Sequence, residues 1–166
     1  MSGRGAVSCY DKAVELLARR PHFRRELERK LASRRYAAEE IAAVLDRLAA
    51  QGYLNDEQVA VDWLAARARR GAEGKRRLAA ELARHGAAGE AVRSALATLP
   101  EDDGEGARAA AEAWRRRGGK DAQGLARHLE RKGFSRRAIV AVLREHGSEA
   151  AGELAEAWDA GAVEEG

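Results

Sequence analysis

Apolar side chains recur along this chain with a helical period. In the stretch ELERKLASRRYAAEEIAAVLDRLAAQGYLND, residues 26–56, Leu27 and Leu31 stand four apart. Ile41, Val44, Leu45 and Leu48 follow the i, i+3, i+4, i+7 rule of an amphipathic helix. Gly52 is placed to stop that helix, because glycine takes the left-handed C′ conformation without steric cost. Asn55, with Gln58 three residues on, reads as the N-cap of the next helix. The same register then returns twice. Leu78, Leu82, Val92 and Leu96 lie 51 residues beyond Leu27, Leu31, Ile41 and Leu45, and Leu125, Leu129, Ile139 and Leu143 lie a further 47 on. Alanine-rich sequence imitates helical periodicity, but not a register of bulky residues kept three times. The pattern predicts an all-α chain of three tandem three-helix repeats.

Turn signals divide the chain into an arm over 1–10, repeats over 11–54, 55–99 and 107–147, a linker over 100–106 and a tail over 148–166. The arm is expected to be disordered, with Cys9 an incidental residue in it and Asp11 capping the first helix. Pro21 ends that helix. Gly71 and Gly74 break the second repeat after its first helix, and PEDDGEG is polar enough to act as a hinge. Arg116–Lys120 reads as a second flexible joint. Gly86 and Gly133 fit C′ caps, whereas Arg35 at the matching joint takes that conformation less easily. Ser135 is the best N-cap of the three third helices. Tyr36 and Phe134 are expected to plug their own small cores, and Trp63 and Trp114 to anchor on the leucine stripes.

Composition supports helices: 34% of residues are charged, and aromatics make up only 5%. No apolar run is long enough to span a bilayer, and the first residues lack a signal-peptide core, so a soluble, cytoplasmic protein is expected. The lone Cys9 leaves no internal disulfide. The net charge of +3 is unevenly placed, because residues 148–166 hold six acids and no Lys or Arg. A basic body with an acidic tail points to a polyanion or an acidic protein surface as partner. The tail is expected to cover that basic surface electrostatically.

Catalytic constellations are missing. The four histidines have no ligand spacing among themselves or with Cys9, and His22 and His85 read as solvated residues at helix ends. Gly71–Lys75 resembles a phosphate loop only faintly. No enzyme activity, metal or cofactor is expected. The arginine clusters are the better candidates. Arg67, Arg70, Lys75, Arg76 and Arg77 flank the glycine break of repeat two; Arg116, Arg117 and Lys120 flank the matching break of repeat three; Arg24 and Arg25 follow Pro21 in repeat one. Stacked repeats would align these joints as a positive stripe suited to a phosphate backbone or an acidic groove. Residues 26–54 alone also fit a wingless helix-turn-helix that binds DNA directly. Its second helix, however, shows only Ala42, Ala43, Asp46 and Arg47 outward, which are poor base readers.

Two segments carry a family likeness: GYLNDEQVAVDWLAARARR at 52–70 and RKGFSRRAIVAVL at 131–143. With the surrounding register they make residues 11–146 resemble the bacterial RecX regulatory proteins. That resemblance implies a curved, elongated array and a monomeric, non-enzymatic, cytoplasmic modulator of the RecA recombinase in DNA repair and the SOS response. It implies binding to the RecA–DNA filament, in its groove or at its growing end, and mostly inhibition of ATP hydrolysis and strand exchange. Contact with single- or double-stranded DNA through the backbone stays open. Matched residue by residue, Arg67, Arg70, Lys75 and Arg76 fall in the family's charged segment, and Gly52, Tyr53, Leu54 and Asp56 in its inter-repeat turn, where a structural role is implied. Arg35-Tyr36 departs from the usual Gly-Phe.

Overall fold

The computed structural model describes residues 7–147, 151–153 and 156. The regular structure of residues 7–147 consists of nine helices: α1 Cys9–Arg19, α2 Arg24–Ala32, α3 Ala38–Ala50, α4 Asp56–Ala68, α5 Lys75–His85, α6 Gly89–Ala97, α7 Gly104–Arg116, α8 Ala122–Arg131 and α9 Arg136–Glu145. The repeated leucines explain the triplets, since each pair faces inward from the second helix of its set. Most of the tail, including Leu154 and Trp158, lies outside the described residues.

The chain divides into two compact units, residues 1–63 with 82–95 and residues 64–81 with 96–166. In the first, Leu27 and Leu31 of α2 meet Ile41, Leu45 and Leu48 of α3 and Cys9, Ala13 and Leu16 of α1 in one core. Leu54 closes it. In the second, Leu125 and Leu129 of α8 meet Ile139, Val142 and Leu143 of α9 and the alanines of α7, with Phe134 fully enclosed. Leu78 and Leu82 of α5 are buried as well. Each such leucine contributes about 1.5–3 kcal/mol over an exposed position.

Several expectations change. The first helix begins at Cys9, not Asp11, capped by the Ser8 hydroxyl, and Cys9 is fully buried in the core rather than frayed. Burial raises its thiol pKa, with Glu40 adding to the effect. His22 is 2% exposed rather than solvated. On α6 the buried face is Ala91 and Ala95, whereas Val92 and Leu96 are half-buried: small alanines let the helix sit closer, one position round from the expected stripe. Tyr53 is 65% exposed, so its ring fills no core. Its backbone N–H does bond the Leu48 carbonyl at 2.9 Å, which with the Gly52 N–H on Ala49 completes a Schellman cap.

Both expected hinges make defined contacts. Gly104–Gly106 form the first turn of α7, and Asp103 accepts bonds from the Ser135 N–H at 2.8 Å and hydroxyl at 2.6 Å. Gly118 takes φ +94°, and Gly119 lies so close to the Trp114 indole that a Cβ there would fall 2.2 Å from the ring. Arg35 adopts the left-handed conformation after all, at φ +67°, the only non-glycine described that does. For a side chain with Cβ this costs about 1–2 kcal/mol. Arg35→Gly is therefore expected to gain roughly 1 kcal/mol in urea unfolding, after the added entropy of unfolded glycine is deducted; a loss of stability would contradict the strain.

Candidate functional site

The basic segment of the middle helices is partly built into the fold. Arg67, on the last turn of α4, donates through Nε to Glu73 at 2.6 Å and through Nη2 to Glu81 at 3.0 Å. Arg77 approaches the same two carboxylates, its Nε 3.0 Å from Glu73 and 3.3 Å from Glu81, an ion-pair distance without hydrogen-bond alignment. Glu73 is only 10% exposed. Burial alone would raise its pKa; bonds from Arg67, with the charges of Arg67, Arg77 and Lys132, outweigh that and hold it below the usual carboxylate value. Arg67 and Arg77 thus tie α4, the 71–74 loop and α5 together.

The same loop then grips α8. Carbonyls at a helix C-terminus lack intrahelical donors. Three donors meet them here: Arg76 Nη2 on Glu130 at 3.0 Å, Arg77 Nη1 on Arg131 at 3.2 Å and the Gly74 N–H on Lys132 at 2.8 Å. Lys132 returns a bond to the Ala72 carbonyl. The arginine charges also suit the negative end of the helix dipole. One repeat earlier the joint recurs, with the Gly86 turn of α5 against Arg25 and Glu26 of α2 and Arg29 Nη2 3.4 Å from the His85 carbonyl. Asp56 caps α2 by accepting the Arg24 N–H at 2.8 Å, which gives the implied structural role of that residue a physical basis.

Most of the remaining sequence candidates face water, whereas Arg24 and Lys75 are half-buried. Arg70, Arg117 and Lys120 are exposed, as is Arg116, whose 3.6 Å approach to Glu112 is solvent-screened. Arg25 is exposed, and Arg24 reaches Asp46. Lys75 and Arg76 line a hollow of about 580 Å³ with Arg137, Ser135 and Phe134. Trp114 packs on its core, whereas Trp63 is half-buried with its ring 5.8 Å from His85.

Sequence reading missed a second network in the first unit. Glu26 sits between Arg20, Lys30 and His22, with Lys30 Nζ at 2.9 Å. His22 Nδ1 lies 2.8 Å from the Arg20 carbonyl, and Nε2 lies 2.7 Å from Lys30. An ammonium cannot accept, so Nε2 accepts and Nδ1 carries the proton. Burial pushes the His22 pKa below its ordinary value. The i, i+4 spacing of His22, Glu26 and Lys30 was a usable signal. Among the described residues no group of three or more His, Cys, Asp or Glu could hold a metal, and no helix is long and apolar enough to cross a membrane.

These features define an all-helical repeat protein with an arginine-rich surface, part of which locks its own joints. Residues 9–48 match the family model described as RecX, first three-helix domain. The Regulatory protein RecX of Leptothrix cholodnii is 38% identical over 149 residues, covering 86% of this chain and 92% of its own. The chain belongs to the RecX family of regulatory proteins. It spans about half the length of other relatives it matches, such as that of Mycolicibacterium vanbaalenii, 43% identical over 86 residues, covering 52% of this chain and 47% of the relative. The crystal structure of RecX from Lactobacillus salivarius shares the fold, with a TM-score of 0.73 at 21% identity over 82% of this chain and 93% of that one.

Proposed function

We propose that this protein modulates the RecA recombinase, chiefly as an inhibitor, by binding the RecA–DNA filament and depressing its ATP hydrolysis and strand exchange. The observation that carries the reading is the 38% identity to a regulatory RecX protein over nearly the whole of both chains. The contact residues we favour are the exposed Arg70, Arg116, Arg117 and Lys120 of the second unit and, taken separately, the exposed Arg25 of the first. Arg67 and Arg77 support the former from within, because their charges are already opposed by Glu73 and Glu81. It acts as a regulator without chemistry of its own, in the cytoplasm where its target works. RecA-driven ATP hydrolysis, followed as the protein is titrated in, tests the reading. Wild-type protein is expected to depress the rate, and a variant with Arg70, Arg116 and Arg117 changed to Glu to lose most of that effect at unchanged helicity. Full inhibition by the variant would remove this surface from the contact.

A further inference from the structure

Among the described residues, His22 is the one polar side chain that the fold buries. A buried imidazole is comfortable only in the protonation state that its neighbours satisfy. Here that state is neutral. Nδ1–H donates to the Arg20 carbonyl at 2.8 Å, and Nε2 accepts from the Lys30 ammonium at 2.7 Å. A proton added at Nε2 would point at that ammonium and turn the bond into a repulsion between cations. Among the described residues the carboxylate paired with the ring is Glu26. Its Oε1 lies 3.8 Å from Nε2 and is already held by Lys30 at 2.9 Å and by Arg20. At the same end of α2, Asp46 of α3 and Asp56 of α4 are taken up by Arg24. The charges acting on the ring are therefore Arg20, Glu26 and Lys30.

The network sits where α2 has least other support. The N-cap Phe23 makes no side-chain cap bond. The first turn is held instead by the Arg24 N–H on Asp56 at 2.8 Å and the Leu27 N–H on the Phe23 carbonyl at 3.0 Å. The Gly86 turn rests on this same turn of α2. A Cβ on Gly86 would stand 3.2 Å from the Arg25 Cβ and from the Glu26 nitrogen. Both elements belong to the first unit. The charge state of His22 thus bears on the α1–α2 loop and on the seat of the Gly86 turn together.

We propose that His22 is a proton-sensitive latch on the start of α2. Neutral, it ties the Arg20 loop to Lys30; protonated, it expels Lys30 to solvent, pairs with Glu26 and loosens the seat of the Gly86 turn. The exchange balances: the ring gains one proton at Nε2, Glu26 trades one cation for another, and Lys30 keeps its charge in water. Lys30 is only half-buried, so its way out is open. Burial is the main reason that the ring's pKa lies below its ordinary value, and the charges of Arg20 and Lys30 add to it. The unfolded chain therefore takes up the proton first. The latch is complete above the unfolded histidine value and fades as pH falls toward the folded one. Burial alone would raise the pKa of Glu26, but bonds from Arg20 and Lys30 outweigh it. Glu26 stays charged through that window and is there to receive the ring.

Amide hydrogen exchange of the full chain tests the latch, read by NMR as protection factors between about pH 7.5 and about pH 5. The Leu27 N–H reports the first turn of α2. The Ile41 N–H is the control, because it makes the same first-turn bond, to the Ala37 carbonyl at 2.9 Å, in a helix that also lacks a side-chain cap. Across that range wild-type protection is expected to fall at least about fivefold at Leu27 and less than about twofold at Ile41. In His22→Gln, whose amide stays neutral, Leu27 should behave as Ile41 does. Lys30→Met gives a second reading that leaves the imidazole in place. Without the ammonium, His22, followed by its own ring nitrogens, should titrate at a higher pH than in wild type. An equal fall at Leu27 and Ile41 would mark general loosening in acid and overturn the proposal, as would equal pH dependence in wild type and His22→Gln. So would a ring protonated at Nε2 near neutral pH, or a His22 titration that Lys30→Met leaves unmoved. No recombinase enters these measurements, so their outcome is separate from that of the proposed regulation.

Discussion

Gly74→Ala and Gly133→Ala are each expected to lose about 3 kcal/mol of stability. The two glycines face each other backbone to backbone. A Cβ on Gly74 would stand 2.1 Å from the Gly133 carbonyl oxygen, and one on Gly133 would stand 2.4 Å from the Arg77 nitrogen. Neither obstacle is the end of a flexible side chain, so the loop and α8 must separate. Separation breaks the Gly74 bond to Lys132 and the arginine bonds to the carbonyls of Glu130 and Arg131. Gly133 adds a second cost, because its φ of +81° disfavours any side chain. Gly52→Ala is the internal control. Its φ is similar at +77°, but nothing lies within 4 Å of the new Cβ, so only the conformational cost of about 1–2 kcal/mol applies. Urea unfolding followed by circular dichroism measures all three. If Gly74→Ala were no worse than Gly52→Ala, the close approach of loop and helix would be wrong.

The second large effect concerns Arg67. Arg67→Ala leaves Glu73 and Glu81 facing each other with Arg77, which lacks hydrogen-bond alignment at Nε, as their nearer cation. Breaking a buried pair costs about 3–5 kcal/mol; with Arg67 22% exposed, roughly 2–3 kcal/mol is expected here. The loss has a pH signature. Glu73 has a lowered pKa in the folded protein, so its stabilisation is present above the unfolded carboxylate value and fades as pH falls through the folded one. Without Arg67 that folded value rises, and acid unfolding should begin at a higher pH than in wild type. Arg70→Ala, three residues on and exposed, should change neither midpoint by more than about 0.5 kcal/mol equivalent. Equal effects from Arg67 and Arg70 would show that the network does not hold the loop.

This contrast marks how far the sequence could be read. Helices, leucine pairs and glycine caps follow from spacing and backbone chemistry, which are local, and they stand where the register placed them. Burial is not local. Cys9 and His22 look like surface residues in sequence, yet other helices cover them. The shift on α6 from Val92 and Leu96 to Ala91 and Ala95 is decided by how closely neighbours approach, which periodicity does not encode. Tyr53 follows a well-marked cap but turns its ring to water. Among the arginines, composition could find the clusters but not sort them. Arg67 and Arg70 differ by less than one helical turn in sequence, and only the fold shows that one meets Glu73 and Glu81 while the other meets solvent.

In the proposed function the outward arginines of this RecX-family chain restrain RecA, while its inward ones hold the joints. It is tested most directly by RecA–DNA filament ATP hydrolysis, with wild type and the Arg70→Glu/Arg116→Glu/Arg117→Glu variant titrated side by side. Wild type should depress the steady-state rate in a saturable way, and the variant, equally helical and equally stable, should require at least about tenfold more protein for the same effect, equivalent to roughly 1.4 kcal/mol of binding. A wild-type protein that leaves ATP hydrolysis untouched at saturating concentration, or a variant that inhibits as well as wild type, would contradict it.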